Sequence, residues 1–273
     1  MTSIAVTHTR LVTQARRDAS ADRKFRTLVV LAAFIVLVSL IGVAFSMLWG
    51  GREVLSEQGL GFFFSTEWNP VENRYGALVP IFGTLVTSVI ALMIAVPVSF
   101  GIAVYLTEVA PVWLRTPVGS AIELLAGIPS IIYGMWGLFV LVPMMTAYVT
   151  PWLNDHLGAL PFIGELFQGP PIGIGLLTAG FVLSIMVIPF ISSVMREVFL
   201  TVPVRLKESA YALGATRWEV VWNIVLPYTR SAVIGGVFLG LGRALGETMA
   251  VAYVVGNTVR FSASLLEPGT TIA

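Results

Sequence analysis

The sequence predicts an all-α fold, a polytopic bundle of transmembrane helices. Of its 273 residues, 56% are hydrophobic and 11% charged, whereas a soluble globular chain carries about a quarter charged residues. Mean hydropathy is +0.88, too apolar to cover an aqueous surface. Apolar runs of about 20 residues, enough to cross roughly 30 Å of bilayer hydrocarbon, recur along the chain. These observations exclude an ordinary soluble enzyme, a disordered chain and a disulfide-stapled secreted domain. The absence of Cys removes thiolate chemistry, redox switching and Cys-based metal sites, and no metal site is expected. A net charge of +1 offers no general attraction to nucleic acid.

The first apolar run is about 28–48, flanked by Arg10, Arg16, Arg17, Arg23, Lys24 and Arg26. Its full length and the following Trp49-Gly50-Gly51-Arg52 fit a retained anchor better than a cleaved signal peptide. The second run, about 77–106, contains Pro97 and is expected to kink there. The third, about 122–148, is interrupted by Gly127-Ile128-Pro129. The fourth and fifth are about 172–195 and 231–255. Lys and Arg concentrate on the cytoplasmic side, so the basic tail, residues 1–27, is placed in the cytoplasm. Alternation then puts 49–76 and 149–171 outside, and 107–121 and 196–230 inside. Segment 149–171 has no Lys or Arg, whereas 196–230 carries Arg196, Arg205, Lys207, Arg217 and Arg230. The C-terminus falls outside. Trp49, Trp68 and Trp152 in the outer loops read as interface anchors.

The loop 203–227 carries the densest signal. Pro203 suits a helix start, Leu206 to Leu213 give two turns, and Gly214 permits a chain reversal. Arg217 to Leu226 form a second short helix expected to end near Pro227, with Trp218 and Trp222 on one face. Such a helix–Gly–helix bracket is a rigid knob that another protein can grip. A P-loop needs a Lys in a Gly-rich loop, and the only lysines, Lys24 and Lys207, are elsewhere. The chain therefore carries no Walker A motif.

In the fifth run, Arg243 and Glu247 stand deep among apolar residues, where each ionised group costs on the order of 3 kcal/mol by insertion scales. A spacing of four predicts neighbours on one helix face, with Glu247 partly neutralising Arg243. Gly236, Gly240, Arg243 and Glu247 share a stripe, and Gly242 and Gly246 lie on the next one. These small-xxx-small patterns predict close helix packing. The pair reads either as a register-fixing ion pair or as part of a solute path on which a guanidinium attracts an oxyanion. Glu123 is expected to snorkel or to sit at a helix start.

The pattern Glu208-x-Ala210-x-x-x-Gly214, then nine intervening residues and Ile224-x-Leu226-Pro227, resembles the EAA loop of type I (MetI-like) ABC-importer permeases. The stretches Gly240 to Asn257 and Glu123 to Gly134 are similar to the phosphate-importer branch, PstC type more than PstA type. The resemblance covers about 77–270 and implies a transmembrane permease domain over 28–273. It implies an inner-membrane, non-catalytic subunit of an ATP-driven phosphate importer. It assigns ATPase coupling to Glu208, Ala210 and Gly214, and a place on the substrate path to Arg243 and Glu247. The implied partners are a second permease (PstA type), an ATPase dimer (PstB type) that binds ATP and Mg, and an extracytoplasmic phosphate-binding protein (PstS type). No cofactor is expected on this chain. Five spans are present of the family's usual six, which reads as a truncated chain or gene model. The competing readings are a permease for another solute, such as sulfate, molybdate or an amino acid, an ion-coupled secondary transporter with Glu247 as proton carrier, and a membrane sensor or scaffold.

Overall fold

The computed structural model describes residues 2–72, 74–161 and 163–272, with side chains from residue 21 onward. The side chains of Arg10, Arg16 and Arg17, and with them part of the basic flank, lie outside the described residues. Contacts divide the chain into two compact units, 1–62 and 63–273. The first unit holds α1 (Thr2–Gly50) and α2 (Arg52–Gln58). Residues 21–50 of α1 expose apolar side chains around the whole circumference, as a lipid-immersed helix does. At its end Arg52 lies over the Trp49 ring, 4.2 Å from the centroid.

The second unit opens with a short antiparallel pair, β1 (Trp68–Asn69) and β2 (Arg74–Tyr75). The helices α3 (Leu78–Val104), α4 (Val112–Ala126), α5 (Ser130–Trp136), α6 (Val142–Met144), α7 (Thr150–His156) and α8 (Leu176–Leu200) follow. The remaining four are α9 (Val204–Ala212), α10 (Arg217–Val220), α11 (Leu226–Leu245) and α12 (Met249–Ala252). Among the described residues, five continuous helical stretches are long and apolar enough to cross a membrane: Ala21–Gly50, Leu78–Val109, Ser130–His156, Leu176–Leu200 and Arg217–Leu245.

Helix α8 is the centre of this unit, burying Val182, Leu183, Met186, Val187, Ile191, Met195 and Phe199. Lipid is as apolar as a leucine side chain, so burial by itself does not hold these helices together; close packing of small residues does. Along α3 the buried residues Gly83, Thr87, Ala91, Ala95, Ser99 and Ala103 recur every fourth position. That row is a shallow ridge on which α8 lies. Ser99 donates its hydroxyl to the Ile188 carbonyl at 3.0 Å. Gly180 answers from α8, where a Cβ would come within 2.6 Å of Ile90.

Prolines dictate where the helices depart from α geometry. Among the described residues four π turns occur, at Tyr105–Val109, Gly137–Leu141, Met145–Val149 and Val221–Val225. Each is followed two residues later by a proline: Pro111, Pro143, Pro151 and Pro227. A proline has no N–H for the carbonyl four residues back and its ring crowds that carbonyl; widening the preceding turn relieves both. Arg217 to Leu245 is therefore one continuous helical run. The expected second short helix does not end at Pro227 but continues through it. The second span likewise stays helical through Pro97.

The third and fifth spans differ from expectation at their breaks. Gly127-Ile128-Pro129 does not interrupt a span over 122–148. It separates α4, a helix of its own, from a span that begins at Ser130 and runs to His156. The fifth span stops at Leu245, capped by Gly246, and α12 begins only at Met249. Residues 253–272 then run without helix over one end of the unit. There Gly175 N–H bonds Val254 O at 3.1 Å and Leu177 N–H bonds Leu265 O at 2.9 Å. Leu166 O receives Leu265 N–H at 2.9 Å, and Ile272 N–H reaches the Thr84 hydroxyl at 2.9 Å. Segments 157–175 and 253–272 thus share one end, and Glu108 and Lys207, joined by an ion pair, meet at the other.

Candidate functional site

At the second end, α9 stands away from the bundle as a nine-residue helix. It closes in a Schellman motif. Gly214 has φ +88°, its N–H bonds Tyr211 O at 3.0 Å, and the Ala215 N–H bonds Ala210 O at 3.1 Å. These two bonds satisfy carbonyls that a bare helix end would leave open. Thr216 then starts α10 with a capping box: it accepts from Glu219 N–H at 3.3 Å, and Glu219 receives the Thr216 N–H at 2.7 Å. Two helix ends are locked around four residues, 213–216, which makes the knob stiff. Glu208 and Gly214 are exposed, whereas Ala210 turns toward the core. Leu213 is 90% exposed at the tip; covering such a side chain is worth roughly 2 kcal/mol. Trp218 and Trp222 stack edge to face at 5.6 Å, on one face as the spacing required.

What fixes the knob to the bundle was not legible from its own segment. Lys207 donates to Glu108, at the end of α3's π turn, and both side chains are largely buried. Beside them opens a polar cleft of about 560 Å³ lined in part by Arg115, Glu208, Tyr211 and Arg217. A second ion pair ties α4 to α8: Arg196 reaches Glu123 at 3.2 Å. Gly119 makes room for it, since a Cβ there would meet the Arg196 guanidinium carbon at 2.9 Å. Glu123 is therefore a partner in an interhelical bridge, in the last turn of α4 and not at a helix start.

Arg243 and Glu247 do not pair. Among the described residues Arg243 has no carboxylate within ion-pair distance, because Gly246 ends α11 between the two positions. Glu247 turns instead to the start of α12 and accepts the Ala250 N–H at 3.1 Å, a favourable place for an acid. Arg243 lies over the Phe190 ring of α8, 5.4 Å from the centroid, and its buried Nε has no partner. The cation sits in the last turn of α11, where the unsatisfied carbonyls of a helix end favour positive charge. The result is a guanidinium steadied by a ring and a helix terminus, and not neutralised by an acid.

The glycine stripes divide in the same way. Gly236 and Gly240 are buried against α8, where Cβ atoms would come within 3.0 Å of Val194 and 2.5 Å of Ile191. Gly242 and Gly246 are exposed and meet no neighbouring element; their predicted close packing is absent within this chain. Gly134 does approach closely, with a Cβ only 2.9 Å from the Ala250 backbone of α12. The helices that follow the two breaks, α5 and α12, are therefore in direct contact.

The chain is 76% identical to the phosphate transport system permease protein PstC of Xylella fastidiosa (strain 9a5c) over 257 residues, 94% of this chain and 79% of that one. It is 57% identical to the PstC protein of Pasteurella multocida (strain Pm70) over 241 residues, 88% of this chain and 75% of that one. Among solved structures, the inward-facing MetNI methionine ABC transporter aligns at 23% identity with a TM-score of 0.43, covering 63% of this chain and 68% of that one. Residues 95–269, which contain the knob, both helix breaks and Arg243, match the family described as binding-protein-dependent transport system inner membrane component, and the chain belongs to that family.

Proposed function

We propose that this chain is the membrane-embedded permease subunit of an ATP-driven importer of inorganic phosphate. The observation that carries the reading is the stiff, exposed α9–Gly214–α10 knob whose second half runs unbroken into the span bearing Arg243. A force applied at the knob passes through the capped turn at Thr216 into one continuous helix, Arg217–Leu245, that carries the guanidinium. The phosphate assignment follows from the names of the relatives and from the chemistry of Arg243, a permanently charged, multi-pronged oxyanion donor. With no carboxylate on it, Arg243 attracts an anion directly.

In this reading the basic flank and the knob face the cytoplasm, and segments 157–175 and 253–272 face the opposite side. A second permease completes the path. A cytoplasmic ATPase pair, carrying ATP and Mg, grips α9 at the exposed Glu208 and Gly214, while Ala210 seats the helix on the core. An extracytoplasmic binding protein delivers phosphate to the other face. The chain itself contributes no covalent chemistry. An ion-coupled carrier would need a titrating acid on the path, and Glu247 is engaged in capping α12.

The test is uptake of radiolabelled phosphate into proteoliposomes holding the assembled transporter. Uptake should require ATP on the knob side and should persist when ion gradients are collapsed. Arg243→Gln should abolish uptake in a complex that still assembles. Uptake driven by a proton gradient without ATP would refute the proposal.

A further inference from the structure

Two arginines of the cleft at the foot of the knob are left over once its ion pair is made. Lys207 and Glu108 neutralise each other there. Arg115, in the first turn of α4, and Arg217, the first residue of α10, line the same space of about 560 Å³. Among the described residues neither has a carboxylate within ion-pair distance. Arg115 uses its Nε–H on the Ala110 carbonyl at 2.8 Å, and its terminal N–H groups stay open. Glu208 is the one lining acid outside the pair, so the cleft keeps a net positive charge.

The depth of the cleft decides what it receives. Thr107 and Glu108 stand in the last turn of the stretch Leu78–Val109, Leu200 ends Leu176–Leu200, and Arg217 begins Arg217–Leu245. These stretches have 32, 25 and 29 residues and rise about 38–48 Å. That exceeds the roughly 30 Å of bilayer hydrocarbon and matches the roughly 40–45 Å that includes the headgroups. Their ends therefore stand at the level of lipid phosphates. Leu200 and Val204 of the lining are exposed, as are Val112 and Trp113 just before Arg115, and Trp is a side chain that settles at this depth. A soluble anion gains nothing from such a rim, whereas a lipid brings acyl chains to cover it.

We propose that this cleft holds the headgroup of an acidic phospholipid from the leaflet on the knob's side, with its phosphate shared by Arg115 and Arg217. Guanidinium forks match phosphate oxygens and stay charged at any physiological pH, and basic pockets between spans at the membrane face suit acidic headgroups. The net positive charge selects an acidic lipid over a zwitterionic one. Arg115 opens α4 and Arg217 opens the fifth span, so one phosphate ties these two helices together beneath the knob. The site does not depend on which solute the transporter carries.

The experiment titrates the complete, delipidated transporter with phosphatidylglycerol or phosphatidylcholine and counts bound lipids by native mass spectrometry. The expected result is tighter binding of phosphatidylglycerol, weakened about tenfold in Arg217→Gln, the effect of one lost charge-assisted hydrogen bond. The Arg217 guanidinium makes no ion pair in the described chain, so this variant leaves no acid unpaired. Arg115→Gln should weaken binding similarly, and Arg115→Lys, which keeps the charge, by less. Arg205→Gln, exposed on α9 and outside the cleft lining, should bind as wild type. Equal binding of the two lipids, wild-type affinity in the Arg115→Gln, Arg217→Gln double variant, or an equal loss in Arg205→Gln overturns the proposal. So does displacement of the lipid by inorganic phosphate, which assigns the cleft to a soluble anion. Loss of the ATPase subunits from the double variant with lipid binding intact assigns it to a partner's carboxylate and overturns it as well.

Discussion

Replacing Gly214 is the sharpest perturbation of the knob, because the structure isolates a single cost. At φ +88° any L side chain sets its Cβ against the following carbonyl oxygen, a penalty of about 1–2 kcal/mol. No atom of a neighbouring element lies within 4 Å of that Cβ, so no further clash adds to it. A valine has one other choice, to leave the left-handed region and release the two Schellman bonds from Gly214 and Ala215. At roughly 0.5–1.5 kcal/mol each, that route is no cheaper. Helix α9 has nine residues, and helices shorter than about 12 residues are marginal by themselves, so the loss falls on the last turn of the knob. One to two kcal/mol is about a 5–30-fold change in the ratio of closed to open forms.

Amide hydrogen exchange on the assembled protein in a bilayer disc reads this directly. Protection at Gly214 and Ala215 should fall by about that factor in Gly214→Val and by less in Gly214→Asn, since Asn tolerates the left-handed region. ATP-driven phosphate uptake should fall in the same order. If the valine variant matches wild type in both exchange and uptake, the knob does not depend on this turn and the reasoning fails.

Glu108→Gln should strand the largely buried Lys207 ammonium and cost roughly 3 kcal/mol, seen as a lower thermal midpoint of the purified protein and loss of ATPase stimulation. Thr216→Ala removes half of the capping box and should destabilise the start of the fifth span by about 1 kcal/mol, measurable as faster exchange at the Glu219 amide. Gly240→Leu forces a side chain onto Ile191 and should weaken the α8–α11 contact by roughly 1–3 kcal/mol; the same substitution at Gly242, which meets nothing within 4 Å, should leave the thermal midpoint of the isolated subunit in place. Glu247→Gln keeps the capping oxygen that receives the Ala250 N–H and should retain uptake, whereas Glu247→Ala loses it; equal loss in both would show that the negative charge itself is required.

Elements whose signals are local were readable in advance. The chain reversal at Gly214 needs only a residue without Cβ, and the shared face of Trp218 and Trp222 needs only helical spacing. The Thr216-x-x-Glu219 capping box was equally local and was missed, although its S/T-x-x-E signature stands in the sequence. Arg243 and Glu247 show the limit of such reasoning. Spacing of four implies adjacency only where the helix is continuous, and Gly246 ends it between them. The ion pairs Lys207–Glu108 and Arg196–Glu123 join residues separated by 99 and 73 positions, and no periodicity announces a partner that far away.

The sequence by itself determined that the chain crosses a membrane, where its apolar runs fall, where a knob projects and that it carries no Walker A motif, because composition and short-range spacing suffice for each. Only the tertiary structure decided which charges pair, which glycine stripe is buried and which helix breaks meet. In lipid the hydrophobic effect does not select one helix face over another. That choice is made by the fit of small residues and by hydrogen bonds between distant segments, which exist only once the bundle has closed.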